Sequence, residues 1–285
     1  MKRKLIQWLS LITANAYLPG FLRGNIYKGS LKQFCLPGLN CYSCPGALTS
    51  CPLGALQAVL GSLKYRFSYY ITGMLLLFGL TLGRFICGFL CPCGLIQELL
   101  YKLPAPKIKR PWRWPRCLKY SLLLIFVIAL PLLPANDFGL GDPAFCKYIC
   151  PAGTFSAGLP LIALNPPLRA ALGALLVWKL VLALAITAGC LIIYRFFCRY
   201  LCPLGAIYGL FNRISLYQLH CRKESCTACG ACRDICRLGV DPARNPASSE
   251  CIRCGDCAAA CPNKALTAGF RTKNDTASAK ISDFD

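Results

Sequence analysis

The chain has 285 residues, 56% of them hydrophobic, with a formal net charge of +21 and a mean hydropathy of +0.50. That composition excludes an ordinary soluble domain and points to insertion in a bilayer. The basic excess flanks apolar runs, so it reads as membrane orientation and not as a nucleic-acid surface.

Lys2, Arg3 and Lys4 open the chain, and an apolar run follows over 5–22, interrupted by Gln7, Asn15 and Pro19. With no clear small-residue cleavage site, it reads as an uncleaved first span. A polar loop then carries Cys35, Cys41, Cys44 and Cys51. The second run, 67–83, ends at Arg84 and leads into Cys87 and Cys91. The stretch from Lys102 to Lys119 is basic and holds Pro104, Pro106, Pro111 and Pro115, which make it a loop. A third run over 118–133 precedes Cys146 and Cys150. Lys179 divides the fourth, placing the span over 180–197, with residues 168–178 at the interface. The runs are short for a bilayer core about 30 Å thick.

Lys and Arg number three in residues 1–4, seven in 102–119 and thirteen from Arg195 onward, against five in 23–68 and two in 135–170. The positive-inside rule then puts both termini in the cytoplasm of a multi-pass inner-membrane protein. The expected fold is mainly α. Residues 1–220 form a four-helix transmembrane bundle of two parallel repeats. A small α+β bacterial two-cluster ferredoxin domain follows over 221–266, and a disordered tail over 267–285.

One phrase, C-x3-C-P-x-G, recurs at Cys87–Gly94, Cys146–Gly153 and Cys198–Gly205, with a looser copy ending in Cys51-Pro52-Leu53-Gly54. The topology puts the Cys51 and Cys150 copies outside and the Cys91 and Cys202 copies inside. The 22 cysteines fall at short regular spacings, which suits metal clusters better than disulfides. The clearest signal is C-x2-C-x2-C-x3-C, at Cys226, Cys229, Cys232 and Cys236 and again at Cys251, Cys254, Cys257 and Cys261. In bacterial two-cluster ferredoxins the fourth cysteine of each run serves the other cluster. One [4Fe–4S] cluster is therefore expected on Cys226, Cys229, Cys232 and Cys261, and the other on Cys251, Cys254, Cys257 and Cys236. Arg237 stands where proline is usual.

A C-x3-C pair supplies half of a four-thiolate site. The two inner copies together give Cys87, Cys91, Cys198 and Cys202. Proline after the second cysteine suits the first turn of a helix, whose amino end favours an anionic cluster. Gly94 and Gly205 let backbone approach closely. On the outer side Cys146 and Cys150 need two partners. Cys51 and Cys44 are the positional choice, with Cys35 and Cys41 as competing ligands. An outer disulfide set, or a cluster on Cys35, Cys41, Cys44 and Cys51 alone, are the alternatives. Cys93, Cys117, Cys190 and Cys221 read as buried or free thiols. The single histidine, His220, excludes a bis-histidine haem, and the spans hold no Asp or Glu for proton transport.

With these motifs the chain resembles the membrane-bound polyferredoxins of the NapH and NosR type, over roughly residues 67–265. The resemblance implies electron transfer between the quinone pool or a cytoplasmic donor, a ferredoxin or dehydrogenase, and an extracytoplasmic redox partner. The NosR-type flavin domain has no counterpart in these residues, so such a partner would carry the flavin. The added cysteines Cys35–Cys51 and Cys146/Cys150 favour a wire through the membrane, with relays at both faces of the apolar layer. A quinol dehydrogenase subunit with a quinone site is the alternative. A membrane-anchored iron–sulfur redox sensor or maturation factor is a third, of another class.

Overall fold

A computed structural model describes residues 2–62, 68–108, 112, 114–133, 141–170 and 173–270. It is mainly helical, with a ferredoxin-like region at the C-terminal end. Two helices, Trp114–Leu132 and Ala174–Ile192, are long and apolar enough to cross a membrane. Val177, Val181 and Leu184 stand exposed along the second, as on a helix that faces hydrocarbon.

The other expected runs form shorter pieces. The run over 5–22 gives a helix Lys2–Ala14, then a break, then a single turn Pro19–Arg23. Gln7 and Ser10, polar positions inside that run, are buried and donate to Gly88 O at 2.8 Å and Leu90 O at 2.7 Å. The second run gives Tyr69–Leu82, about 21 Å long at the usual helical rise; Phe67 lies outside the described residues. Lys179 does not divide the fourth run. It lies within Ala174–Ile192, and its ammonium donates to Cys146 O at 3.4 Å instead of reaching for an interface.

Each Cys-Pro junction opens a helix. Cys51, Cys91 and Cys202 sit at N-caps with extended backbone (φ −84°, −81° and −80°), and Pro52, Pro92 and Pro203 start Pro52–Gly61, Pro92–Leu100 and Pro203–Phe211. Proline costs nothing here, because the first-turn N–H has no intrahelical acceptor. Three of the four phrases also share a preceding one-turn helix: Phe85–Phe89, Ala144–Tyr148 and Phe196–Tyr200. In each, the second cysteine's N–H returns to the same carbonyl: Cys91 to Ile86, Cys150 to Phe145 and Cys202 to Phe197. The Cys51 phrase is built differently. Ser50 bridges to Cys35 in place of the short helix.

The short helices pack across the repeats. Pro203–Phe211 lies on Tyr69–Leu82 and Trp114–Leu132, and Pro92–Leu100 lies on Ala174–Ile192. One apolar core results. It holds Ile86, Val127, Phe145, Phe197 and Tyr208 together with Cys51, Cys87, Cys91, Cys150 and Cys202, and it runs on into Leu238, Val240 and Ile252 of the ferredoxin-like region.

That region is closed by two antiparallel strands, β1 (Tyr217–Cys221) and β2 (Leu266–Phe270). The strand therefore extends into the first residues expected as tail; residues 271–285 lie outside the described ones. Its two cysteine runs are backbone copies of each other. Positive φ recurs at matched offsets, at Ala228 and Arg253 (52° and 53°), Gly230 and Gly255 (79° and 85°), and Gly239 and Lys264 (62° and 49°). Three of these six carry a side chain, a local cost that persists where a loop must wrap a fixed object.

Candidate functional site

In the ferredoxin-like region the cysteines line two separate cavities. One, of about 230 Å³, is lined by Cys226, Cys229, Cys232 and Cys261. The other is lined by Cys236, Cys251, Cys254 and Cys257. Among the described residues no three His, Cys, Asp or Glu side chains converge on one metal ion. A cubane cluster needs thiolates spread around a multi-atom core; the first cavity has that room between its four cysteines, whereas the second, about 30 Å³, is nearly closed. Burial pushes the Cys254 thiol up to about 11 and Cys257 to about 12. These sulfurs are protonated at neutral pH until metal displaces the protons.

The inner set, Cys87, Cys91, Cys198 and Cys202, is wholly buried. Two arginines, each three residues before a first cysteine, reach across to the opposite phrase. Arg84 donates to Cys198 O at 3.2 Å, and Arg195 to Cys87 O at 2.6 Å. Gly205 and Gly94 make room. A Cβ on Gly205 would meet Cys198 O at 3.2 Å, and one on Gly94 would meet Cys87 O at 3.0 Å. Arg195 pairs with Glu98 at 2.6 Å, which also accepts from Tyr194 and Arg3. Arg84 pairs with Glu250 at 2.9 Å, and Lys119 pairs with the same carboxylate. Four cations thus face two carboxylates, an excess of positive charge that suits an anionic four-thiolate cluster.

The same residues fix the ferredoxin-like region to this set. Asn212 accepts from Arg84 N at 3.1 Å and donates to Ser248 O and Cys251 O at 2.7 and 2.8 Å. Arg253 donates to Leu82 O at 2.9 Å and to Ser215 Oγ at 2.7 Å. Gly88, next to Cys87, touches the backbone beside Cys251: a Cβ there would sit 2.6 Å from Ile252 O. Gly88→Ala is expected to cost about 1–3 kcal/mol by overpacking this contact. A lower thermal midpoint, read by bleaching of cluster absorbance, measures it. Arg237, the departure from proline, lies over the Tyr194 ring at 5.6 Å.

Several of the outer cysteines lie together. Cys51, Cys146 and Cys150 are electrostatic neighbours, and the further cysteine acting on all three is Cys41. The Cys41 sulfur lies 3.9 Å from where a Cβ on Gly153 would be, at the start of the Cys150 helix. Cys44 meets the backbone of Gly46 and Ala47, Ser156 and Lys32, and neighbours Cys41, with which it shares Ser156. Cys35 adjoins Cys51, at the edge of the group. Gln57 ties the halves together, donating to Cys146 Sγ at 3.2 Å and accepting from Phe145 N at 2.9 Å. Gln97 does the same for the inner set, donating to Cys198 Sγ at 3.0 Å and accepting from Cys198 N at 3.3 Å. Each glutamine stands six residues after its Cys-Pro cysteine.

The two sets do not lie at opposite faces of a 30 Å layer. Leu39 N donates to Cys91 Sγ at 3.4 Å, and Cys41 is two residues further on. Two residues span at most about 7 Å. Tyr208, whose hydroxyl donates to Pro37 O at 3.0 Å, is within electrostatic reach of cysteines of both sets, Cys87, Cys91, Cys51 and Cys35. Cys93, Cys190 and Cys221 are free thiols, as expected, and each has a polar neighbour. Cys93 and Cys190 meet Gln97, at 3.4 and 3.7 Å, and Cys221 hydrogen-bonds Cys226.

Comparison with known proteins agrees with these units. A 4Fe-4S binding domain family matches residues 67–111, 120–162 and 175–222, each stretch containing one C-x3-C-P phrase. A second 4Fe-4S binding domain family matches 248–267. An uncharacterized Methanocaldococcus jannaschii protein is 28% identical over 67% of this chain and 67% of its own length. YccM of Escherichia coli K12, described as an electron transport protein, is 30% identical over 68% of this chain and 55% of its own. The regulatory protein NosR of Pseudomonas aeruginosa is 29% identical over 60% of this chain, which spans 22% of NosR. No solved structure matches. The helix-borne C-x3-C-P phrases, the two crossed cysteine cavities and these relatives place the chain in the NosR/NapH-type polyferredoxin family, iron–sulfur electron-transfer proteins with several [4Fe–4S] clusters.

Proposed function

We propose that the protein carries electrons between a cytoplasmic donor, a ferredoxin or dehydrogenase, and an extracytoplasmic acceptor, along four cysteine sets in one inner-membrane chain. When bound, the clusters supply one-electron redox centres. The order follows the contacts. Cys226, Cys229, Cys232 and Cys261 come first, with Cys229 exposed to solvent. Cys236, Cys251, Cys254 and Cys257 come next, joined through Asn212 and Arg84 to the inner set. Cys87, Cys91, Cys198 and Cys202 follow, and then Cys51, Cys146 and Cys150. The geometry favours Cys41 over Cys44 as the fourth thiolate of that last set.

The observation that carries this reading is the contact between Leu39 and Cys91. It brings the loop that holds the last set against the inner one, so an electron needs only one short step between them. Tunnelling falls steeply with distance, so neighbouring buried sites make a relay where a single crossing of the bilayer would be slow. The bias of Lys and Arg supports cytoplasmic termini and a multi-pass arrangement in which the Cys51 and Cys150 helices, Pro52–Gly61 and the one over residues 151–164, lead outward. The protein's own residues bury the sulfurs, set opposing charge beside them and lock the ferredoxin-like region in place.

The test is iron and sulfide analysis with EPR on anaerobically purified protein. Four clusters per chain are expected, and two would confine the protein to its ferredoxin-like region.

A further inference from the structure

We propose that Gln97 and Cys93 raise the redox potential of the inner set by donating hydrogen bonds to the Cys198 sulfur. This rests on the reading that Cys87, Cys91, Cys198 and Cys202 hold a cluster. Gln97 is 3% exposed, and its amide cannot turn over. The amide oxygen accepts from Cys198 N at 3.3 Å and from the Cys190 thiol at 3.7 Å, so the NH2 end must face the sulfurs. That end lies 3.0 Å from Cys198 Sγ and 3.4 Å from Cys93 Sγ. The two sulfurs therefore share one donor, and the Cys93 thiol is a close neighbour of Cys198.

Cys93 stands two residues after Cys91. The same position after Cys51, Cys150 and Cys202 is Leu53, Ala152 and Leu204, so the thiol is peculiar to this phrase. The outer set keeps its glutamine, Gln57, and its further hydroxyl neighbour is Ser156, hydrogen-bonded to Cys41 and Cys44. One-electron reduction adds one negative charge to iron and sulfur and moves no atom. A donor aimed at a ligating sulfur stabilises that added charge and raises the potential. Cys93 and Gln97 are thus positioning residues that act through Cys198.

The test is an EPR-monitored redox titration of the full-length protein in detergent, with iron content measured alongside. Cys198→Ser identifies the inner signal in the wild-type spectrum. Cys93→Ala and Gln97→Leu are each expected to move that signal to lower potential, at unchanged iron content and with the ferredoxin-region signals in place. Cys93→Ser, which keeps an O–H donor, is expected to restore most of the shift. An unmoved potential in both Cys93→Ala and Gln97→Leu overturns the inference while leaving the site intact. Loss of one cluster in Cys93→Ala overturns it by making Cys93 a ligand. A wild-type spectrum with no inner signal overturns the cluster reading and the inference together.

Discussion

Replacing Glu250 by leucine is expected to destabilise the protein by about 3–5 kcal/mol, the range for removing one member of a buried ionic group. Among the described residues Glu250 is the only carboxylate against both Arg84 and Lys119, which are 1% and 0% exposed. Without it both cations stay buried and unpaired, and Arg84 also holds Ser249 O and Cys198 O. The thermal midpoint in detergent, read by cluster bleaching, should fall, and the inner and ferredoxin-region clusters should be lost together. Glu250→Gln, which keeps the volume and one acceptor, should fall less. Acid should act in the same direction. Despite burial, the neighbouring Arg84 and Lys119 hold the Glu250 carboxyl down to about 2, from an ordinary 4.5. A depressed carboxyl stabilises the fold fully above its unfolded pKa and loses that contribution as pH falls toward the folded one. The wild-type midpoint should therefore drop between about pH 4.5 and pH 2, and the Glu250→Leu midpoint should lack that component.

Removing Cys150 is expected to delete the outer cluster and nothing else. Its thiol is buried among Cys41, Cys51 and Cys146, and the phrase that carries it repeats the backbone of the Cys91 and Cys202 phrases. Cys150→Ala should show one cluster fewer by iron analysis, with the ferredoxin-region EPR signals kept. Cys41→Ala should behave like Cys150→Ala, and Cys44→Ala like the wild type. The reverse result would return the fourth thiolate to Cys44.

The cysteine chemistry was legible in the sequence because ligand spacing is local. The crossed sets, with Cys261 beside the first run and Cys236 beside the second, follow from the C-x2-C-x2-C-x3-C count alone, and the two cavities divide the residues that way. Pro52, Pro92 and Pro203 likewise announce helix starts by their own geometry. Two further signals were present but unread. Arginine stands three residues before Cys87 and before Cys198, and glutamine six residues after Cys51 and Cys91. Their meaning depends on which phrase faces which, a long-range fact. The choice between Cys41 and Cys44 depends on the path of a loop without regular structure, and hydropathy says nothing about it. The closeness of the inner and outer sets was hidden for another reason. Apolar run length suggested spanning helices, whereas Pro52–Gly61 and Tyr69–Leu82 are short, and the 35–51 loop returns to Cys91. Lys119 and Lys179 show the same limit: each looked like a flanking charge, yet Lys119 is a buried ion-pair partner and Lys179 holds Cys146 O.

The most direct measurement uses proteoliposomes with a membrane-impermeant reductant on the side of the ferredoxin-like region and an impermeant one-electron acceptor sealed on the other. Wild-type protein is expected to reduce the sealed acceptor, and Cys150→Ala to do so only at the rate of protein-free vesicles. An acceptor that stays oxidised with four clusters present, or one reduced equally fast by Cys150→Ala, would contradict a path through the outer cysteines.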